Sequence, residues 1–407
     1  MGILRRLTTL REVKKLIHLV FTFNKSFVRK VCLPSRHHKV NILRRNAVKL
    51  TRIAIATVAI ATTLSLTACG SDNNSGSSAA PTGAGASGSL KASGSSAQKN
   101  AMADWINSFQ TANPGATIDY QANGSGAGVQ DFNNSQTDFA GSDSPLKPEE
   151  ATAAATRCSG NNAIDIPMVG GAIALAYNID GVDSLVLDPK TAAAIFTGAI
   201  TKWNDPAIAA LNSGVTLPDA TIATFHRSDS SGTTDNFTKW LIATTPSTYT
   251  LAGGKDWVAP GGQGAKGSDG VASSIATTKN SIGYVELSFV QTQKLKAAKI
   301  DNGGGAVEAT SDAAAKTIAA ATVSGTGNDL SLTIDRTVKD GASYPIVLVT
   351  YEITCEKGLA AAQSALVKSF LTFTASDEAQ SALSSAGYVP ITGDLLTKVR
   401  AAVAAIS

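Results

Sequence analysis

Histidine is nearly missing from the body of this chain: three of the four lie within the first 38 residues, and His226 stands alone beyond them. A Ser-His hydrolase or a histidine-built metal site has little to work with. No serine has glycine at both −2 and +2, so the nucleophile elbow of an α/β-hydrolase is absent as well. Acidic residues cluster at no recognisable metal-ligand spacing, and no metal or cofactor is expected. Cysteine is sparse: Cys32 and Cys69 fall near the start, leaving only Cys158 and Cys355 in the body. Hydroxyl-rich turns without a base to activate them fit binding better than catalysis, and His226 reads as a strand residue beside a site.

Basic charge is scarce once the first 69 residues are set aside. The whole chain carries 35 Lys/Arg and 31 Asp/Glu, formally +4. Residues 1–69 hold 14 of the bases and a single acid, Glu12, which leaves 21 against 30 and a body near −9. A nucleic-acid binder needs a basic face to replace phosphate counterions, so that class is excluded. Any anion held here must be held by local geometry.

The basic start has its own logic. Arg44, Arg45, Lys49 and Arg52 precede an apolar run, 53–66, too short for an ordinary membrane span and right for a signal-peptide core. Leu66-Thr67-Ala68-Cys69 then places small residues before a cysteine and resembles a bacterial lipobox. On that reading 1–69 is a leader, Cys69 is lipid-modified (palmitate), and the mature protein is exported and anchored to the outer face of the cytoplasmic membrane, at the cell surface or in a periplasm. The plainer alternative is a free cysteine in a short anchor helix. Residues 1–43 fit neither a signal peptide nor a domain. Residues 70–88, mostly Ser, Gly, Ala and Asn, cannot bury enough surface to fold and read as a flexible tether. In an oxidising compartment Cys158 and Cys355 are most simply a disulfide, against two buried free thiols.

The folded body is expected from residue 89. Strands are read at 90–92, 117–121, 164–178, 221–226, 280–286 and 344–353, and helices at 102–109, from 129, and at 185–197, 203–211, 271–278, 359–373 and 377–385. Alternating segments of this kind favour an α/β fold with parallel or mixed sheets covered by helices.

The chain is organised around Arg227-Ser228-Asp229-Ser230-Ser231-Gly232-Thr233. Arg227 offers a planar, permanently charged fork to a tetrahedral oxyanion, and Asp229 is placed to hold that fork. Ser231, Gly232 and Thr233 open a helix whose apolar face is Phe237, Trp240 and Leu241, so its first amides and hydroxyls converge on one point. Two other turns repeat the theme: Ser93-Gly94-Ser95-Ser96-Ala97, and Gly124-Ser125-Gly126-Ala127-Gly128. The second lacks the spacing of a dinucleotide fingerprint and reads as a small-anion turn, or as a plain tight turn. Asp143 follows a short strand-like stretch in Gly141-Ser142-Asp143-Ser144-Pro145.

Taken with Ile200-Thr201-Lys202-Trp203 and Ser281-Ile282-Gly283-Tyr284, these motifs make the chain resemble the phosphate-binding lipoproteins that serve ABC-type phosphate importers, most of all their actinobacterial branch. The resemblance implies a two-lobed periplasmic-binding-protein fold of type II, with two mixed-sheet lobes joined by two crossover strands and a ligand cleft between. Lobe I would be 89–172 plus 344–407, and lobe II 173–343, with crossovers near 170–174 and 344–349. It implies inorganic phosphate held by Ser96, the amide of Ala97, Ser125 and Asp143 from one lobe and by Arg227, Ser231, Gly232 and Thr233 from the other. Asp229 would support Arg227. Partners would be phosphate and separate permease subunits in the membrane, with the protein a monomer. A serine and an alanine at 96–97 stand where many family members have Thr-Phe, which keeps a hydroxyl and an amide but removes an aromatic wall. Other readings are a binder of arsenate or sulfate and, from a different class, a phosphate-ester hydrolase.

Overall fold

The computed structural model describes residues 85–407. The expectations about the leader, Cys69 and the tether up to residue 84 lie outside the described residues. Gly85–Gly88, read as the end of the tether, are described, and a strand begins within them at Ser87.

The organising element is one strand, β4 (Ala163–Asn178), whose sixteen residues are nearly all buried. A run apolar on both faces, broken only by the buried Asp165, has no exposed face to offer and belongs at the centre of a covered sheet. Around it lie β1 (Ser87–Gly94), β2 (Gly115–Gln121), β3 (Phe139–Ser142), β5 (Ala223–Arg227), β6 (Gln263–Ala265), β7 (Ser281–Glu286), β8 (Lys296–Ala297), β9 (Val347–Cys355) and β10 (Val389–Pro390). The strand order is β2-β1-β3-β9-β4-β7-β5-β6, with β8 and β10 added on β4. β4 runs antiparallel to β9 from Ala163 to Ala172, then antiparallel to β7 from Ile173 to Asn178. β4 thus changes partner between Ala172 and Ile173. In the first lobe β1 pairs parallel with β2 and β3; in the second β5 pairs parallel with β6 and β7. The architecture is thus α/β, two-lobed, with mixed sheets.

Helices cover both lobes: α1 (Lys99–Ala112), α2 (Ser125–Asn133), α3 (Pro148–Arg157), α4 (Pro189–Phe196), α5 (Pro206–Leu211), α6 (Gly232–Thr244), α7 (Gly267–Thr277), α8 (Leu287–Thr292), α9 (Ser311–Ala319), α10 (Ala361–Thr374), α11 (Asp377–Ser381) and α12 (Gly393–Ala405). Among the described residues none is long and apolar enough to cross a membrane. Each lobe has an aromatic centre. Phe109 meets Phe370 edge-on at 5.3 Å in the first, and Phe237 stacks on Tyr284 at 4.6 Å in the second, beside Phe196, Trp240 and Trp257. The Phe237, Trp240 and Leu241 stripe of α6 is what seats that helix, and truncating either aromatic would cost about 3–5 kcal/mol.

Three local expectations need correcting. The helix expected over 185–197 begins later, because Asp188 caps Thr191 N at 2.7 Å and Pro189 takes the first helical position; Val186–Leu187 form a short strand instead. Asp205 and Pro206 likewise delay the helix expected from 203. Conversely, the helix expected from 129 starts at Ser125, inside the glycine-rich turn.

Cys158 and Cys355 form a disulfide, with a Cα–Cα distance of 5.4 Å, joining the end of α3 to the end of β9 across a sequence separation of 197. A loop this long is costly to close in the unfolded chain. Replacing both cysteines by alanine is expected to lower stability by about 2–5 kcal/mol, read as a lower urea midpoint with a steeper slope, because the unlinked unfolded chain is more expanded. An unchanged midpoint would show that the bond constrains nothing.

Candidate functional site

Asp143 follows β3 and is buried, 3% exposed. Its Oδ1 accepts from Thr350 Oγ1 at 2.8 Å, and Thr233 Oγ1 reaches Oδ2 at 3.5 Å. Its own N–H donates to Ser125 Oγ at 3.2 Å, and its carbonyl accepts from Asn236 Nδ2 at 2.6 Å. Burial pushes the Asp143 carboxyl up; hydroxyls of Ser95, Thr350 and Ser125 and the charge of Arg227 work against that rise. A buried carboxyl ringed by hydroxyls from both lobes is the centre of the site.

The second lobe answers with a helix start. Ser231 caps α6, accepting Thr234 N at 3.3 Å on its Oγ, so the N–H groups of the first turn and the positive end of the helix face Asp143 and Ser125. Arg227 ends β5 at 2% exposure. Tyr284 accepts its N–H at 3.1 Å, and Asp229 takes Nε at 2.8 Å and Nη2 at 2.5 Å in a two-pronged clamp. Burial works against the Asp229 charge, yet Arg227 and the Gly267 N–H hold its carboxyl below the usual range. Through that last bond Asp229 also ties the clamp to the start of α7.

Three helix starts therefore meet, those of α2, α6 and α7. The lobes touch through them: Gly126 N donates to the Ser230 carbonyl at 3.0 Å, and a Cβ on Gly126 would sit 2.2 Å from Ser230 Oγ. Lys255, 5% exposed, pairs with Glu150 at 3.0 Å, and Ser144 Oγ donates to Asp235. A cavity of about 420 Å³ opens beside Asp143, past Asn236, Lys239, Arg336 and Tyr351.

Of the residues read from sequence, the structure brings Ser125, Asp143, Gly232 and Thr233 into direct contact, with Ser231 as the cap and Arg227 close enough for its charge to act on Asp143. Ser96 and Ala97 are differently engaged. Ser96 Oγ accepts Ser268 N at 3.0 Å, and the Ala97 N–H donates to Ser95 Oγ at 3.0 Å. Of that turn's hydroxyls, Ser95 is the one that works against the rise of the Asp143 carboxyl. Thr350, Asn236 and Tyr284 also belong to the site and were not anticipated. His226 lies beside it, its ring stacked on Trp257 at 5.3 Å. Among the described residues no group of three or more His, Cys, Asp or Glu is placed to hold a metal.

The same ground plan occurs in known proteins. Residues 79–378 match the family described as a PBP superfamily domain. The phosphate-binding protein PstS 3 of Mycobacterium tuberculosis is 46% identical over 371 residues, covering 88% of this chain and 100% of that protein. The chain belongs to the PstS family of the PBP superfamily. Its counterpart from Mycobacterium leprae is 44% identical over 370 residues, with 88% and 100% covered, and PstS of Xylella fastidiosa is 31% identical over 356, with 84% and 95% covered. Among solved structures, a high-affinity periplasmic phosphate-binding protein with phosphate bound has a TM-score of 0.61 at 21% identity, covering 77% of this chain and 93% of that one. At that identity the likeness speaks for the fold.

Proposed function

We propose that the protein captures inorganic phosphate outside the cytoplasm, in the cleft between its lobes, and hands it to the membrane permease of an ABC importer. The relatives bear the name phosphate-binding protein, which favours binding over cleavage in the cleft. The observation that carries the reading is the buried Asp143 carboxyl facing the α6 start and Arg227: one acceptor set among donors, with a permanent cation opposite. An anion losing its hydration shell needs many donors to replace it. Ser95, Ser96, Ser125, Arg227, Ser231, Thr233 and the amides of Gly232 and Ala97 form the pool from which those donors come, with Asp229 holding Arg227.

The lobes are assigned as 89–172 with 344–407, and 173–343; support comes from the exchange of β4 partners between Ala172 and Ile173. Lipid anchoring through Cys69 and action as a monomer complete the proposal. Calorimetric titration of the full chain with phosphate, and separately with sulfate, is expected to give tight one-to-one phosphate binding and no sulfate signal. Absence of phosphate binding by folded protein would remove the reading.

Asp143 explains the selectivity. A carboxylate only accepts, so it favours an oxyanion that still carries a proton and repels one that does not. Asp143→Asn, which both donates and accepts, is expected to lower the preference for phosphate over sulfate by about 10- to 100-fold, measured as the ratio of the two affinities. An unchanged ratio would take Asp143 out of this role.

A further inference from the structure

Glu286 ends β7 and is fully buried. Its Oε2 accepts Ser288 N at 2.9 Å and lies 2.5 Å from Ser288 Oγ, while its Oε1 has no partner. Ser288 Oγ lies 2.9 Å from Tyr388 Oη, and Tyr388 Oη lies 2.7 Å from the carbonyl of Ala97. Asn100 Nδ2 donates to Ser288 Oγ at 3.0 Å. The run Glu286–Ser288–Tyr388–Ala97 thus contains three oxygen–oxygen contacts at hydrogen-bond distance. A carbonyl has no hydrogen to give, and Ser288 and Tyr388 have one each. Two hydrogens cannot fill three contacts. The third fits in one place: Glu286 O–H donates to Ser288 Oγ, Ser288 O–H donates to Tyr388 Oη, and Tyr388 O–H donates to the Ala97 carbonyl.

We propose that Glu286 is a neutral carboxylic acid in the closed protein, and that its proton directs a relay from the second lobe to the Ser95–Ala97 turn, making closure and anion retention proton-linked. Glu286 is then a positioning residue, acting through Ser288 and Tyr388, and the consequence for the ligand rests on the phosphate reading of the cleft. The unpartnered Oε1 agrees: a carbonyl-type oxygen left bare costs less than a bare carboxylate oxygen.

Among the described residues no cation hydrogen-bonds to Glu286. From β4 come Ile173, its strand partner, and the backbone of Gly171, where a Cβ would lie 3.0 Å from Oε1. From α8 comes Ser288, from α1 Asn100, and from the segment before β10 Tyr388. Asp143, of like sign, also acts on it. Burial, and then Asp143, hold the Glu286 carboxyl well above the usual range against the bonds from Ser288. The Tyr388 phenol is held well above its own usual range, by burial first and Glu286 next. Opening the lobes separates Ser288 from Asn100 and Tyr388 and lets water reach Glu286, which lowers its pKa. Closure therefore takes up a proton; its contribution is full at low pH and is lost as pH rises through the closed-state value.

The test is phosphate titration of the full chain and of Glu286→Gln between about pH 6 and about pH 9; the glutamine amide donates to Ser288 without titrating. Comparing the two at each pH cancels the ionisation of phosphate itself. The wild-type to variant ratio of Kd is expected to rise about tenfold across that range. Infrared spectra at neutral pH should show a protonated-carboxyl band that Glu286→Gln loses. A flat ratio, or no band lost, overturns the proposal. A lost band with phosphate bound by neither protein supports the proton on Glu286 and overturns the phosphate reading instead. Ser288→Ala keeps the buried acid and cuts the relay: it is expected to bind more weakly at low pH while the pH dependence stays or moves to higher pH, and wild-type affinity in it at low pH would also overturn the relay.

Discussion

Replacing Arg227 by alanine is expected to weaken phosphate binding by about a thousandfold while leaving the protein folded. Two losses add. The ligand loses a permanent cation, and Asp229, whose side chain is 11% exposed, loses the partner that takes both of its oxygens. Removing one member of a buried ion pair typically costs about 3–5 kcal/mol, most of it from the charge left behind. Here that charge is an acid beside an anion site, so the penalty falls on the bound state above all. Arg227→Lys is expected to recover only part, because an ammonium cannot span both Asp229 oxygens and still face the cleft. Calorimetry gives the affinities, and a thermal scan checks the fold. A loss below tenfold in the alanine variant would place the anion away from Arg227.

Much of this site was legible in the sequence because it is local. Arg227, Asp229 and the Ser231 cap lie within five residues, and a cation, its clamp and a helix start can be read from spacing alone. The central strand was legible for a similar reason: 164–178 is apolar but for Asp165 and the closing Asn178, and a strand buried on both faces needs little more. What escaped was set by long-range contact. Thr350 comes to Asp143 from 207 positions away, hidden in a run that reads as core. Asn236 is one polar residue on a helix, and only its bonds to the Asp143 carbonyl and to Arg336 give it meaning. The choice between Ser95 and Ser96 was undecidable by residue type, since both are hydroxyls in one turn; Ser95 acts on the Asp143 carboxyl, while Ser96 is taken by Ser268. The early start of α2 had a related cause. Glycines at 126 and 128 argue for a turn by propensity, but packing keeps them helical because Ser230 and Gly94 come too close for any side chain.

Gly232→Ala separates binding from folding more sharply than any change to a charged group. Gly232 is the first residue of α6, and its φ is not positive, so alanine suits the backbone and is a better helix former by up to about 1 kcal/mol. Stability should therefore hold or rise slightly. The added methyl, however, would stand 2.5 Å from Asp143 Cβ, 2.7 Å from Ser125 Oγ and 2.8 Å from Asp143 Oδ2. Asp143 Cβ is fixed to the β3 backbone, and Ser125 opens α2, so neither can swing aside as the end of a long side chain would. Overpacking of this kind costs about 1–3 kcal/mol or more, and it is felt only when the lobes close. Phosphate affinity is expected to fall by roughly a hundredfold with the melting temperature unchanged or higher in ligand-free protein. Equal loss of stability and affinity would mean that the lobes stay packed together without ligand. Undiminished affinity would mean that phosphate is held with the lobes further apart than they stand here, and that the hydroxyls around Asp143 serve the empty cleft rather than the filled one.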